Sequence, residues 1–303
     1  MKAHTPASIS SILLAAFAAA ALSVLPGCGD KTDSPTSPSP PPSSGSAVSY
    51  TAVGASDAAG VGSSVPCAPF TDCPDGMGYV PRIVRELKAQ GSTVTLMNLG
   101  IPAAVLSPRI EALGKQYGRT WIPGNFLEQE MPFVARSSTL ITIFAGGNDV
   151  NTIADAASGG AGGSDPVGWA NQQIKAFGED YATLLKGVRE RAPSARIVVA
   201  NLPNFAAMPF AAGHSVEARQ LLQKLSVGFT TQVINPLAGQ GIAVIDVQCD
   251  GRYTNPGYLA SDGFHPNDAG YAAMAADFLR AITATTPAMP SPSCGLMTVV
   301  PAL

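Results

Sequence analysis

The feature that most constrains this chain is an alternation. Five short, apolar, β-branched runs recur along it: VSYTAVG (48–54), TVTLMNL (93–99), LITIFAG (140–146), RIVVANL (196–202) and IAVIDV (242–247). Runs this short and almost continuously apolar suit strands covered on both faces. The stretches between them carry helical spacing. GYVPRIVRELKAQG (78–91) repeats Val80, Ile83, Val84 and Leu87 on one side and stops at Gly91, a residue type favoured just past a helix end. An amphipathic stretch over 169–193 ends at Pro193, and 215–241 opens with Ser215 as a candidate N-cap and Glu217 in the first turn. A final helix over 267–282 would bury Ala272, Ala275, Ala276 and Leu279. Strand and helix in alternation mean a parallel sheet with helices on both faces. The expectation is one α/β domain over 48–285, a three-layer α/β/α sandwich around five parallel strands.

Composition supports a core of that size and narrows the function. Of 303 residues, 46% are hydrophobic and only 13% charged, with a net charge of −3. That leaves no basic footprint for nucleic acid and no polybasic membrane patch. Aromatic residues make up 7%, too few to suggest an extended surface for stacking sugars.

The first residues have a different character. Lys2 is followed by ISSILLAAFAAAALSVL (9–25), which is too short and alanine-rich for a membrane span and reads as a secretory leader. Leu25-Pro26-Gly27-Cys28 then resembles the lipobox of bacterial lipoproteins, which implies cleavage after residue 27 and a lipidated Cys28. Residues 28–47 are rich in Pro and Ser, suited to an extended tether. Cysteine parity fits, because exported proteins seldom keep a free thiol. Removing Cys28 from five leaves Cys67, Cys73, Cys249 and Cys294, whereas cleavage within the alanine run would leave an odd thiol. Four cysteines allow three pairings. The short loop between them favours Cys67–Cys73, and Cys249–Cys294 would then pin a tail over 286–303. The expected location is the cell envelope, anchored by lipid. With Gly29 and not Asp after Cys28, an outer-membrane site, periplasmic or surface-facing, is expected.

In open parallel sheets, ligands bind beyond the carboxyl ends of the strands. Ser56 follows the first run, Gly100 the second, Gly146-Gly147-Asn148-Asp149 the third, and Asp262-Gly263-Phe264-His265 comes after the fifth. Each alone reads as a turn, but their chemistry is complementary. A serine hydroxyl needs a base, histidine titrates near neutrality, and a carboxylate orients the imidazole and stabilises its cation. Backbone N–H groups and an Asn side chain suit a developing oxyanion.

In this order the blocks resemble the SGNH hydrolase superfamily, the GDSL-type esterases and lipases. The resemblance runs over about 48–282. It implies a flavodoxin-like SGNH fold, Ser56 as nucleophile, His265 as base, Asp262 as its partner, and an oxyanion hole from Ser56, Gly100 and Asn148. It implies ester hydrolysis with no metal or organic cofactor. Ala55 stands where the family has Asp, and Asp57 is a candidate substitute. Ala58 in place of Gly breaks the G-x-S-x-G elbow of α/β-hydrolases.

The leading expectation is a lipid-anchored serine esterase or lipase. A deacetylase or acyltransferase acting on polysaccharide with the same triad, and an inactive binding lipoprotein, are the alternatives. His214 reads as a loop residue, Asp149 as a structural acceptor, and Ser64 as a second-choice nucleophile. The segments 59–78 and 151–173 are expected to be loops rimming the pocket, the second one mobile, with Trp121 and Phe126 at its entrance or in the core.

Overall fold

The structure is a computed structural model that describes residues 40–303. The leader, Cys28 and the tether up to residue 39 lie outside the described residues.

Five strands form one sheet: β1 (Ala47–Gly54), β2 (Thr93–Asn98), β3 (Leu140–Phe144), β4 (Arg196–Ala200) and β5 (Ala243–Ile245). All neighbours are parallel and the order is β2-β1-β3-β4-β5. Every residue of the central β3 and β4 is buried, as continuous apolar runs require, whereas Thr93, Thr95 and Met97 of the edge strand β2 are exposed. Polar groups inside the sheet are paired: the Tyr50 hydroxyl lies 2.8 Å from Thr142 Oγ1.

Among the described residues eight helices accompany the sheet: α1 (Ser56–Ala59), α2 (Tyr79–Ala89), α3 (Pro108–Gln116), α4 (Phe126–Gln129), α5 (Gly147–Ser158), α6 (Pro166–Arg191), α7 (Val216–Phe229) and α8 (Asp268–Thr283). On one face α2 packs with α8, where the Tyr79 and Phe278 rings stack with centroids 4.8 Å apart. Such a pair is worth roughly 0.5–1.5 kcal/mol beyond the area it buries. On the other face α5, α6 and α7 pack together and α3 lies on α5, with Phe177 of α6 stacked on Phe229 of α7 at 3.7 Å.

Three expectations need correction. Residues 151–173 are not a mobile loop. Most belong to α5 and α6, separated by the glycine-rich turn 159–165, because Asp165 caps Gly168 N–H and Pro166 takes the first helical position. The buried face of α8 is Tyr271, Met274, Ala275, Phe278 and Ile282, while Ala272 and Ala276 are exposed. Burying large side chains gains more than burying alanine, so the helix turns its heavier side inward. The stretch after Ser215 keeps α-geometry only to Phe229, then passes through a π turn (Thr230–Ile234) and a 3-10 turn (Asn235–Gln240).

Disulfides join Cys67 to Cys73 and Cys249 to Cys294, as expected. The second holds the C-terminal tail along the molecule. Ala288 O accepts from Val244 N of β5 at 3.0 Å, Ser291 N donates to Asp246 Oδ2 at 2.8 Å, and the Gln223 side chain takes Val299 N–H and Val300 N–H.

Candidate active site

The strand order reverses direction between β1 and β3, and a crevice opens at the carboxyl ends there. Ser56 leaves β1 and Asn148 leaves β3, one on each side of it. Gly54, the last residue of β1, has room only for hydrogen: a Cβ there would stand 2.9 Å from Ala58 Cβ and 3.2 Å from Phe144 O. The chain turns at Ala55, and Ser56 begins α1 with only 6% of its surface exposed. Gly60, in left-handed conformation, closes that single turn.

His265 Nε2 is 2.9 Å from Ser56 Oγ, and His265 Nδ1 is 2.6 Å from Asp262 Oδ2. The other oxygen of Asp262 accepts from Phe264 N at 2.9 Å and His265 N at 3.0 Å. Burial pushes the Asp262 carboxyl up, but these bonds outweigh it and hold the group below its ordinary value. It therefore remains a carboxylate facing the imidazole. Gly263 permits the turn through φ +67°, and a Cβ on it would strike Phe210 N at 2.8 Å. Asn267 caps α8 by accepting from Ala269 N and Gly270 N, so His265 stands just ahead of the helix and outside it.

The segment 59–78 does not rim the pocket. It backs the histidine. A Cβ on Gly62 would meet Pro266 O at 2.6 Å and His265 Cβ at 2.8 Å, the Tyr271 hydroxyl donates to Val61 O, and Ser64 bonds Asp268 through its N–H and hydroxyl. Ser64 is thus a clamp on Asp268, and the hydroxyl at His265 Nε2 is that of Ser56. Residues of 151–173 border a separate groove containing Asn151, Asp155, Arg119 and His214. His214 lies against the Phe210 ring and is not at the Ser56 cavity.

Asn148 lies beside Ser56 on the wall of the cavity, and its Nδ2 donates one hydrogen to Ala104 O at 2.9 Å. The second amide hydrogen is not committed by that bond. Gly100 differs from expectation. Its N–H donates to Asn98 Oδ1 at 3.1 Å, and a Cβ would meet Ala58 Cβ at 2.7 Å. It does not line the cavity; it lets the end of β2 approach α1, with Asn98 Nδ2 donating to Ala58 O. Asp149 is structural as expected, accepting Leu106 N–H with both oxygens, and burial raises its pKa to about 7.

Two features escaped the sequence reading. Ala103 adopts φ +70°, a strained conformation for a non-glycine residue, one position before the Ala104 that holds Asn148. Glu130 is fully buried and its Oε2 accepts the N–H of Gly54 at 2.9 Å. Its sequence neighbours Glu128 and Gln129 are polar, so nothing local marked it as buried.

Ser56 and Asn148 border a small cavity, about 40 Å³, whose walls are mostly apolar and include Phe144, Leu202, Phe205, Met208, Val247 and Phe264. Phe126 is part of the wall; Trp121 is 59% exposed with Arg119 over its ring, away from the cavity.

With this geometry in view, the family model described as GDSL-like Lipase/Acylhydrolase matches residues 52–273. The chain belongs to the GDSL-like lipase/acylhydrolase family. It is a carboxylic ester hydrolase by that membership, and the expected fold class stands. Among solved structures, the lipase Lip_vut3 from a goat rumen metagenome is similar at 21% identity, covering 78% of this chain and 97% of its own, with a TM-score of 0.50. The extracellular lipase of Streptomyces rimosus is 18% identical over 75% of this chain and 99% of its own, TM-score 0.49. A single-residue variant of the acetyl xylan esterase Axe2 from Geobacillus stearothermophilus is 18% identical over 79% and 95%, TM-score 0.48. A comparison with curated proteins finds no match. For a GDSL-like hydrolase the Ala55 substitution is a departure at the nucleophile block, and Asp57 does not repair it by bonding Gly54: that N–H is taken by Glu130.

Proposed function

We propose that this GDSL-like hydrolase cleaves carboxylic esters through an acyl-enzyme on Ser56, with His265 as base and Asp262 as its orienting partner. The observation that carries the reading is the continuous bonding from Asp262 Oδ2 through the imidazole to Ser56 Oγ, 2.6 Å and 2.9 Å. Asp262 accepts from Nδ1–H, which leaves Nε2 unprotonated and facing the hydroxyl. Ser56 Oγ attacks the ester carbonyl while Nε2 takes its proton. The oxyanion is met by the Ser56 N–H and the second amide hydrogen of Asn148. Collapse returns the proton to the departing alcohol, and water, activated by the same imidazole, releases the acid.

The apolar cavity beside Ser56 supports an ester whose acyl part is a hydrocarbon chain. Its apolar lining is what favours this over the acetyl-removing alternative. The bonded triad weighs against an inactive binding scaffold. Lipidation at Cys28 would keep the hydrolase at the cell envelope.

The test is hydrolysis of p-nitrophenyl acetate, butyrate and octanoate, together with fluorophosphonate labelling read by mass. Turnover that rises from acetate to the longer chains, with the label on Ser56, is expected. Labelling at another residue, or none with no turnover, would sink the assignment.

A further inference from the structure

Among the described residues, Glu130 is a fully buried acidic side chain beside the nucleophile that the proposed chemistry does not use. It follows α4, and its carboxyl reaches the end of β1 from a segment 76 positions away in sequence. The reason it is there lies in the sheet. β1 and β2 stay in register only as far as Ala52 opposite Asn98, after which Leu99 N donates to Ala52 O and β2 leaves. On that side the N–H of Gly54 has no strand to bond. Glu130 Oε2 takes its place at 2.9 Å, so a side chain finishes the ladder that the departing strand leaves open.

The carboxyl also faces the loop that follows β2: the backbone of Ile101 favours its charged form, and Glu130 Oε1 has no hydrogen-bond partner. That loop carries Ala103 at φ +70° and Ala104, whose carbonyl holds the Asn148 amide. The start of α4 is bound to it as well: Val105 N donates to Gly124 O and Phe126 N to Val105 O. Burial drives the Glu130 pKa well above the ordinary carboxyl range, and no basic side chain acts on it to offset that. A carboxyl kept in such a place at such cost is more than packing, since an apolar residue would leave the Gly54 N–H unpaired.

We propose that Glu130 is a positioning residue for the hydrolase: it fixes the Gly54–Ala55 turn that presents Ser56 Oγ to His265, and links that turn to the loop orienting Asn148. It supplies the brace that the missing acidic residue at position 55 cannot. The proposal rests on Ser56 being the nucleophile.

The experiment compares the wild-type protein with Glu130→Ala and Glu130→Gln on p-nitrophenyl butyrate, with thermal melts and fluorophosphonate labelling rates alongside. Glu130→Ala should lower kcat on the order of ten- to hundredfold, leave KM within about twofold, and slow labelling to match, because the nucleophile loses alignment and the binding cavity is untouched. Glu130→Gln, whose amide oxygen can still accept from Gly54, should stay within about fivefold of wild type. A folded Glu130→Ala protein with wild-type kcat overturns the proposal, as does a Gln variant as impaired as the Ala one. If Glu130→Ala gives no cooperative melt, Glu130→Asp decides. Its carboxyl is one methylene short of Gly54, so its kcat should fall about tenfold while Gln holds, and equality of Asp with wild type overturns the idea. A wild-type protein that is inert and unlabelled would instead remove the Ser56 assignment, and this proposal with it.

Discussion

The two halves of the catalytic arrangement are held by opposite means. Ser56 is buried at the end of a core strand, and its turn is fixed from far away in sequence, by Glu130 on Gly54 and Asn98 on Ala58. Asp262 and His265 sit on a loop at the surface, with the Asp262 side chain 47% exposed, and most of their order is made within the loop itself. Distant segments support the second half through Gly62 against His265, Phe264 against Phe205 and Phe210, and the Phe210 N–H donated to Gly263 O. The nucleophile is therefore set by tertiary structure and the base by a turn, so the two should fail differently.

The largest effects should erase the difference. Ser56→Ala and His265→Ala are each expected to lower kcat by on the order of a thousandfold or more, with melting temperatures near wild type. Steady-state kinetics on p-nitrophenyl butyrate measure this, and a residual rate within about tenfold of wild type would be incompatible with the roles given. Asp262→Asn comes next. Its side-chain oxygen can keep the Phe264 and His265 N–H bonds, so the turn should survive while the acceptor for Nδ1–H is lost. A fall in kcat of roughly a hundredfold or more with an unchanged melt is expected; a melt that drops with the activity would mean the turn depends on the charge.

Gly263→Ala sharpens the comparison from the backbone side. At φ +67°, with Phe210 N 2.8 Å from the added Cβ, the turn must shift. We expect a loss of about tenfold in kcat, because a small displacement of His265 is enough, and a melting temperature only a few degrees lower. Equal activity would show that the loop adapts more freely than its local bonds suggest.

The smallest effect separates the halves by pH. Asp149, on the nucleophile side, is raised by burial from 3.8 to about 7. Its folded form keeps a proton that the unfolded chain has lost, so its contribution to stability is full below about pH 4 and is lost as pH rises towards about 7. Asp262 is lowered, so its contribution is present above its unfolded value and is lost as pH falls through the folded one. The melting temperature of Asp149→Asn, relative to wild type, should therefore rise between about pH 4 and about pH 7.5. A difference independent of pH would show that Asp149 is not protonated in the folded protein over that range.

The same division explains what could be read in advance. Asp262-Gly263-Phe264-His265 was legible because a turn and its side-chain bonds lie within four residues. The strands were legible because burial on both faces leaves a continuous apolar run, and the Cys67–Cys73 pair because its loop is short. Glu130 was not, since nothing near it in sequence announces Gly54. Gly100 was misassigned because a glycine after a strand looks the same whether its N–H faces a ligand or an Asn98 side chain. Residues 147–158 hid a helix because Gly, Asn and Ser signal turns locally, while the burial of Val150, Ile153 and Ala156 that stabilises α5 is a tertiary fact. Alanine misled on α8, where its small side chain counts as apolar in a pattern but yields to Tyr271 and Phe278 in a core.

The C-terminal tail has a consequence beyond its own order. β5 is only three residues long and ends the sheet, so its outward backbone groups would offer a template for another chain to add a strand. Ala288 O takes the Val244 N–H, and the Cys249–Cys294 bridge keeps that segment from leaving. The bridge thus guards solubility as well as shape: in a reducing compartment the cover can peel back, and self-association along the bared edge would be the first symptom, ahead of any loss at Ser56.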